Sequence, residues 1–132
     1  MTLREVLHAH IPTLHPESTV RDAVDKMDIY QFPALVIADD DMRPLAVITE
    51  GDLCRAASHR DSVVSLREEP ALVHASQEPI VTGPDMEISD AFHLMLSRGI
   101  TLLPILESDR LMGVVLRTDL MQALMMDAAE GA

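Results

Sequence analysis

The chain carries one sequence pattern twice, and this duplication limits what it can fold into more than any other feature. Residues 16–23 (PESTVRDA) return as residues 84–91 (PDMEISDA), and residues 46–53 (AVITEGDL) return as residues 113–120 (GVVLRTDL). The first pair is offset by 68 residues and the second by 67, so one unit is duplicated with a small change of loop length. Such a duplication predicts two similar halves packed about a pseudo-twofold axis, with paired clefts in which function should be sought.

Each copy has the pattern of a β-α-β-β-α unit. In the first copy a short extended piece runs from Ile11 to Leu14, and continuous apolar runs follow at 34–38 and 45–49. The second copy has matching runs at 103–106 and 111–116. Continuous apolar residues are typical of strands covered on both faces, and the polar turn between each pair of runs predicts a hairpin.

The first helix of each copy is marked by its cap and by its apolar spacing. Thr19 is the predicted N-cap, and Asp22 at the third helical position completes a capping box. An apolar stripe at spacing i, i+3, i+4, i+7 occurs in both copies: Val20, Ala23, Val24 and Met27, then Ile88, Ala91, Phe92 and Met95. The shared spacing predicts that both helices bury the same face.

These elements predict an α/β (α+β) chain of two repeats. We place the first repeat at residues 1–60, a polar linker at 61–72 and the second repeat at 73–132. Apolar residues make up 48% of the 132 residues, which is enough for a packed core. Whether the polar stretch around the linker carries a short helix is left open by the sequence.

The charge balance excludes several classes of partner. Asp and Glu number 22 against 10 Lys and Arg, for a net charge of −12, whereas a nucleic-acid or anionic-membrane partner requires a basic surface. We find no apolar run long enough to span a membrane and no signal-peptide pattern at the N-terminus. The single cysteine, Cys54, fits a reducing compartment, and we expect a cytoplasmic protein.

The last predicted helix, at 120–126 (LMQALMM), is apolar almost all round. A terminal surface helix needs only one apolar face, so the excess indicates a second contact. Self-association as a homodimer is the simplest explanation, and burial within the monomer is the alternative.

The sequence offers no catalytic or metal-binding constellation. Cys54 and His59 lie five residues apart on a predicted helix, without an orienting third group. His8 and His10 would lie about 200° apart around a helix, and the run at 39–41 lacks the spacing of a calcium loop. We therefore predict neither an enzyme nor a metal site.

The order of elements, the Thr-Val-x-Asp-Ala helix start at Thr19 and the Val-Ile-Thr-x-x-Asp-Leu ending at 47–53 resemble a cystathionine-β-synthase (CBS) domain. Two in tandem resemble a stand-alone Bateman module, and the likeness covers nearly the whole chain. The resemblance implies a regulatory fold with two clefts between the repeats. It also implies adenosine-containing ligands there, such as AMP, ADP, ATP or S-adenosylmethionine, with no cofactor required.

The resemblance also implies which residues contact a ligand. In the first cleft Asp52 would accept hydrogen bonds from the ribose diol beside Thr49, which suits a carboxylate chemically. The base in that cleft would pack against Ile80, Val81, Thr82, Leu102, Leu103 and Pro104. The second cleft would use Asp119 with Ile11, Pro12, Thr13, Phe32 and Pro33.

The sequence departs from the family pattern in three places. Leu116 replaces the Thr or Ser of the second motif, Ala46 stands where the second copy has Gly113, and basic residues are missing before Pro33 and Pro104. We therefore expect the Asp52 cleft to be the better site, and a neutral or singly charged adenosyl ligand rather than ATP. Arg55, Arg117, His59 or Mg²⁺ would have to assist a triphosphate.

Three hypotheses follow from these observations. The first is a regulatory module that binds an adenosyl ligand and acts on a separate protein effector. The second is a ligand-free scaffold for protein–protein interaction, which Leu116 and the missing basic residues favour. The third, an enzyme, lacks a nucleophile or an acid–base pair.

Overall fold

The computed structural model describes residues 1–131, which form two compact units. The central unit is the continuous segment Pro12–Pro79, and the terminal unit combines Met1–Ile11 with the chain from Ile80 onward. Each unit has its own cluster of buried apolar side chains.

The central unit is a four-stranded sheet within residues 12–79, with helices packed against it. Its elements are β1 (Thr13–Leu14), α1 (Val20–Tyr30), β2 (Ala34–Ala38), β3 (Pro44–Thr49), α2 (Glu50–Ser58), α3 (Ala71–His74) and β4 (Ser76–Gln77). The strand order is β1-β2-β3-β4, with β1 parallel to β2 and the other pairs antiparallel. All five residues of β2 are buried, as expected for the strand that is covered on both faces.

Helix α1 begins at the predicted capping box. The Asp22 amide donates to Oγ1 of Thr19 at 3.2 Å, and the Thr19 amide donates to Oδ2 of Asp22 at 2.9 Å. The helix ends at Gln31, which adopts a left-handed conformation with φ 57°. The capping box is therefore confirmed.

The predicted apolar stripe of α1 is only partly buried. Val20 and Ala23 are buried and Met27 is half-buried, but Val24 is 47% exposed, so the prediction was wrong at this position. Val24 lines two surface cavities beside Leu53 of α2 instead of packing on the sheet. The side chain of Val24 therefore lies in a groove between α1 and α2 and not in the core.

The terminal unit is built on a two-stranded hairpin. Its elements are a 3-10 helix at Leu3–Glu5, α4 (Ile88–Arg98), β5 (Leu102–Glu107), β6 (Arg110–Leu116) and α5 (Arg117–Gly131). Its core contains Leu3 from the N-terminal segment together with Met95, Leu103 and Leu120. The β5–β6 register shifts between Ile105 and Leu106, at the place where β2–β3 shifts between Ile37 and Ala38. The two repeats thus share this irregularity as well as their sequence motifs.

The segment that leads into each repeat is exchanged between the two units. His8 of the N-terminal segment bridges to Val114 of β6, and Ser76, the corresponding residue of the second repeat, pairs with Val47 of β3. Likewise Thr2 bridges to Glu87, whereas Pro70 bridges to Thr19. The compact units therefore do not coincide with the two repeats, because the terminal unit joins the N-terminal segment to the second half of the chain. The repeat boundaries at 60 and 73 stay predictions about the duplication.

The polar segment between α2 and β4 contains short helical elements, which answers the question that the sequence left open. A 3-10 helix spans Leu66–Glu68 and α3 follows at Ala71–His74. Glu69 joins this segment to the end of α2: both guanidinium Nη atoms of Arg60 donate to its carboxylate, one of them at 2.7 Å, and Nε2 of His74 lies 3.0 Å from Oε1. The side chains of all three residues are largely shielded from solvent.

Helix α5 leaves several methionines exposed. Met121, Met125 and Met126 are exposed to solvent, whereas Leu120 and Ala123 are buried in the core of the terminal unit.

Among the described residues, no helix combines the length and the apolar character needed to cross a lipid bilayer.

Replacing Gly113 by Ala should destabilise the terminal unit. A Cβ at this position would overlap the carbonyl oxygen of His8 and lie 2.7 Å from Cδ1 of Leu7, so the N-terminal segment could not stay paired with β6. Overpacking of this kind costs about 1–3 kcal/mol in the free energy of unfolding. Urea unfolding of Gly113→Ala against the wild type measures the effect.

The matched control is Gly83→Ala in the same unit. The atom nearest to a Cβ there is the carbonyl oxygen of Leu106 at 4.0 Å, so the free energy of unfolding should stay unchanged or rise by about 0.4–1 kcal/mol. Equal stability of Gly113→Ala and the wild type would contradict the pairing of His8 with β6.

The ion pairs of Glu69 predict a loss of stability in acid. The hydrogen bonds from Arg60, assisted by the one to His74, lower the pKa of Glu69 from 4.5 to about 2. A carboxyl whose pKa is lower in the folded state stabilises the fold above its unfolded pKa, and this contribution disappears as the pH falls from about 4.5 towards 2. In urea unfolding at pH 5 and pH 2.5, Glu69→Gln should therefore lose less stability than the wild type. Glu68→Gln, an exposed neighbour, should behave as the wild type, and identical losses in Glu69→Gln and the wild type would refute the assignment.

Candidate functional site

Thr49 and Asp52 are held together where β3 runs into α2. Thr49 ends β3, opposite Ala34 of β2, and it is the N-cap of α2. Its amide donates to Oδ2 of Asp52 at 2.9 Å, and its Oγ1 accepts from the Asp52 amide at 3.2 Å. The strand fixes Thr49 and the capping box fixes Asp52, so the carboxylate is positioned by its own backbone.

The second oxygen of Asp52 faces Arg55, one turn further along α2. Nη2 of Arg55 donates to Oδ1 of Asp52 at 2.7 Å. The Asp52 side chain is 13% exposed and the Arg55 side chain 69% exposed. An ion pair with so exposed a member contributes about 0.2–1 kcal/mol at most. The contact between Oδ1 and Arg55 can therefore rearrange at a small cost in free energy.

This arrangement suits a ligand with adjacent hydroxyl groups. A carboxylate offers about four lone-pair sites, of which Thr49 and Arg55 occupy two. The remaining acceptor capacity matches a vicinal diol such as that of a ribose. The small exposed fraction of Asp52 leaves part of the carboxylate within reach of solvent.

The corresponding carboxylate of the second repeat has different partners. Oδ2 of Asp119 accepts from the Leu116 amide at 2.8 Å and lies 2.9 Å from Nε2 of His8. Leu116 has no hydroxyl, so half of the capping box is missing here. Asp119 therefore ties the N-terminal segment to the start of α5, a structural role that Asp52 does not have.

The other residues that the sequence assigned to the second cleft fall mainly in the central unit. Phe32 and Pro33 precede β2, and the Pro33 carbonyl accepts from the Glu50 amide at 2.9 Å, which brings them to the start of α2. The Thr13 carbonyl accepts from Nζ of Lys26 at 2.7 Å. Pro12 belongs to the same unit, whereas Ile11 belongs to the terminal unit with Asp119.

The residues assigned to the base in the first cleft lie together in the terminal unit. Thr82 bridges in parallel to Ile105, and its amide donates to the Pro104 carbonyl at 3.2 Å. Leu102, Leu103 and Pro104 are buried on β5, whereas Val81 is exposed and Ile80 is half-buried. Leu103 belongs to the core of this unit and Leu102 is buried as well, so Val81 is the most accessible side chain of the group.

Sequence reasoning missed a groove between α1 and α2. One cavity of about 480 Å³ is lined by Val24, Met27, Phe32, Leu53, Cys54 and neighbouring polar residues. A second, of about 400 Å³, shares Val24 and Leu53 and extends to Val63 and Leu66. The sequence signal for this groove was Val24, which belongs to the apolar stripe of α1 but is not needed to fill the core.

The described residues contain no group of three or more His, Cys, Asp or Glu side chains arranged to hold a metal ion. Nε2 of His8 lies 2.9 Å from Oδ2 of Asp119. Asp39 caps the β2–β3 turn by accepting from the amides of Asp41 and Arg43, each at 2.9 Å.

Comparison with curated proteins gives relatives of several kinds. The chain is 30% identical over 122 residues to a 17.7 kDa protein of Acidianus ambivalens, covering 92% of this chain and 71% of that protein. It is 31% identical over 125 residues to arabinose 5-phosphate isomerase of Yersinia pestis, covering 93% of this chain but only 37% of the isomerase. A Methanopyrus kandleri protein is 32% identical over 127 residues, which cover 92% of this chain and 62% of that protein.

Solved structures with the same fold include a CBS-domain containing protein from Agrobacterium tumefaciens, with a TM-score of 0.85 and 18% identity over 94% of this chain and 99% of that one. CBSX2 in complex with AMP has a TM-score of 0.83 and 19% identity, with 96% and 98% covered. A CBS domain pair in complex with 5′-methylthioadenosine and S-adenosyl-L-methionine has a TM-score of 0.84 and 16% identity, with the same coverage. The predicted fold class, an α/β CBS-domain pair, is confirmed.

The family model of the CBS domain matches this chain twice, at residues 3–59 and at residues 72–126. The two matches contain Asp52 and Asp119 at corresponding places, after β3 and after β6. The duplication in the sequence is therefore a duplication of this domain. The chain belongs to the CBS domain family, as a tandem pair of CBS domains.

Proposed function

We propose that this chain is a regulatory module that binds an adenosyl ligand through Asp52 and Thr49 and transmits its occupancy to a separate protein. The observation that carries the proposal is the carboxylate of Asp52, which is fixed by the Thr49 amide and has a second oxygen facing an exposed arginine. A fixed acceptor of this kind loses little conformational entropy when it binds a ribose diol. The ligand-bound states of CBSX2 and of the methylthioadenosine complex support the ligand class.

The remaining contacts are part of the same proposal. The adenine would pack against the apolar residues around Val81 and Thr82, with Leu102, Leu103, Pro104 and Ile80 behind them. The Asp119 site would be the weaker of the two because its carboxylate already holds His8 and the Leu116 amide. Ile11, Pro12, Thr13, Phe32 and Pro33 would serve that second site.

We further propose that the module is neither an enzyme nor dependent on a cofactor.

We propose that the ligand acts by shifting the protein between two conformations. A ligand can do so only if its affinities for the two conformations differ. An effector protein that binds one of these conformations better would therefore sense the ligand, and by linkage would change the ligand's affinity by the same factor. In the isomerase of Yersinia pestis the region similar to this chain makes up 37% of a longer protein.

Asp52→Asn should weaken the binding of AMP or S-adenosylmethionine by roughly ten- to a hundredfold. The amide side chain keeps a carbonyl oxygen for the Thr49 amide, so the start of α2 stays intact while the charged acceptor is lost. Isothermal titration calorimetry of both ligands against wild type and variant measures the change.

Asp61→Asn, the same change at an exposed position after α2, should bind as the wild type does. Asp119→Asn should have a smaller effect on affinity than Asp52→Asn. If Asp52→Asn binds as tightly as the wild type, Asp52 is not the ribose contact, whereas a wild type that binds none of these ligands would contradict the adenosyl function itself.

The alternative, a ligand-free interaction scaffold, is favoured by a specific observation. Met121, Met125 and Met126 are exposed on α5, and the groove at Val24 adds apolar surface on the central unit. Methionine adapts to irregular partner surfaces, and such patches mark protein interfaces. The same surfaces would serve a homodimer in either function, so the titration of the wild type is what separates the two candidates.

A further inference from the structure

The guanidinium group of Arg55 lies against the first turn of α2, next to the residues that we propose to hold the ribose. Besides the contact between its Nη2 and Oδ1 of Asp52, its Nη1 lies 3.2 Å from the place where a Cβ on Gly51 would stand. Oγ1 of Thr49 is 3.6 Å from the same point. The guanidinium of Arg55 and the hydroxyl of Thr49 thus border the same space beside Gly51.

Arg55 has donors to offer beyond the one that holds Asp52. A guanidinium carries five N–H donors in a planar fork that matches the oxygens of a phosphate or carboxylate. With Nη2 on Asp52, its other N–H groups can reach an anion without moving any buried group, because the side chain is 69% exposed. The pair with Asp52 thus holds the cation at the site instead of neutralising it fully.

Several other cations of the central unit are committed to structural contacts. Arg60 holds Glu69, Lys26 holds the Thr13 carbonyl, and Arg21 pairs with Asp25 one turn away. Arg55 is the cation that touches Asp52, the carboxylate at the centre of the proposed site.

The second repeat has no such charge at the corresponding position. Gln122 stands 67 residues after Arg55, in the same turn relative to Asp119. Helix α5 is capped and packed without a cation there, so the fold of the repeat does not require one. Arg55 is therefore a feature of the first repeat alone.

From these observations we propose that Arg55 is a specificity-determining residue, which selects adenosyl ligands with a negatively charged 5′ group. The proposal rests on the function proposed above. A 5′ group lies only a few bonds from the diol, and the long Arg55 side chain starts from the helix turn that positions Asp52. AMP should then bind more tightly than adenosine, and more tightly than S-adenosylmethionine, whose 5′ group carries a sulfonium cation. The sequence alone favoured neutral or singly charged ligands because it lacks basic residues before Pro33 and Pro104.

AMP and adenosine, which differ only in the phosphate, form the matched ligand pair for the test. In calorimetric titrations of the full chain, Arg55→Gln should weaken AMP binding roughly ten- to a hundredfold and leave adenosine binding unchanged. Arg55→Lys keeps the charge without the planar fork and should retain part of the preference for AMP. Thermal unfolding of each variant verifies that it is folded.

Arg43→Gln is the control for net charge, because Arg43 precedes β3 and the six residues of that strand separate it from Thr49 by about 20 Å. It should leave both affinities unchanged. The proposal is overturned if Arg55→Gln weakens AMP and adenosine equally or neither, or if the wild type binds the two equally. If the wild type binds neither, the proposed function fails together with this inference, and that outcome is distinct from the others.

Discussion

The reciprocal hydrogen bonds between Thr49 and Asp52 are the interaction on which the proposed site depends. They complete the start of α2 by satisfying a backbone amide, and in doing so they fix a carboxylate at the end of β3. Thr19 and Asp22 use the same box at the start of α1, where it serves the helix alone. The same capping box thus stabilises both helices, but after β3 its carboxylate, that of Asp52, is also available to bind a ligand. Because the box orders Asp52 before any ligand arrives, binding there incurs little additional entropic cost.

The duplication lets the two copies of this junction diverge. In the first repeat the aspartate faces Arg55, an exposed cation, and in the second it faces His8, which belongs to the exchanged N-terminal segment. The second copy has no hydroxyl at Leu116, but its aspartate contacts His8, 111 positions away in sequence, and so holds the N-terminal segment to the same unit. Both differences agree with the weaker second site that we propose, because a carboxylate that anchors a chain segment has less acceptor capacity left for a ligand.

Local patterns made most of the fold predictable, and non-local contacts account for what was missed. The cap at Thr19, the continuous apolar run of β2 and both hairpins depend on residues close in sequence, and all are present in the structure. The exchange of leading segments joins residues such as His8 and Val114, which no periodicity connects, and only the glycine at 113 hinted at it. Val24 followed the apolar spacing but lies in a groove, because spacing shows which face a residue is on and not how far the core reaches. The two aspartates were assigned to the candidate site from the family resemblance, whereas their side-chain partners became evident only from the structure.

The acidity of the chain makes the position of one cation decisive for any anionic ligand. A net charge of −12 repels an approaching phosphate at long range, but charges in physiological salt are screened over about 8 Å. Within that distance the ligand responds to the groups at the site, where Arg55 stands beside Asp52 at 2.7 Å. The carboxylate keeps Arg55 in place through Nη2, so the other N–H groups of the guanidinium remain for a phosphate while the ribose hydroxyls use the remaining acceptor capacity of Asp52. The ion pair of Asp52 and Arg55 would then persist in the complex, so a ligand without the phosphate would lose only the contact with Arg55 and keep its contact with Asp52.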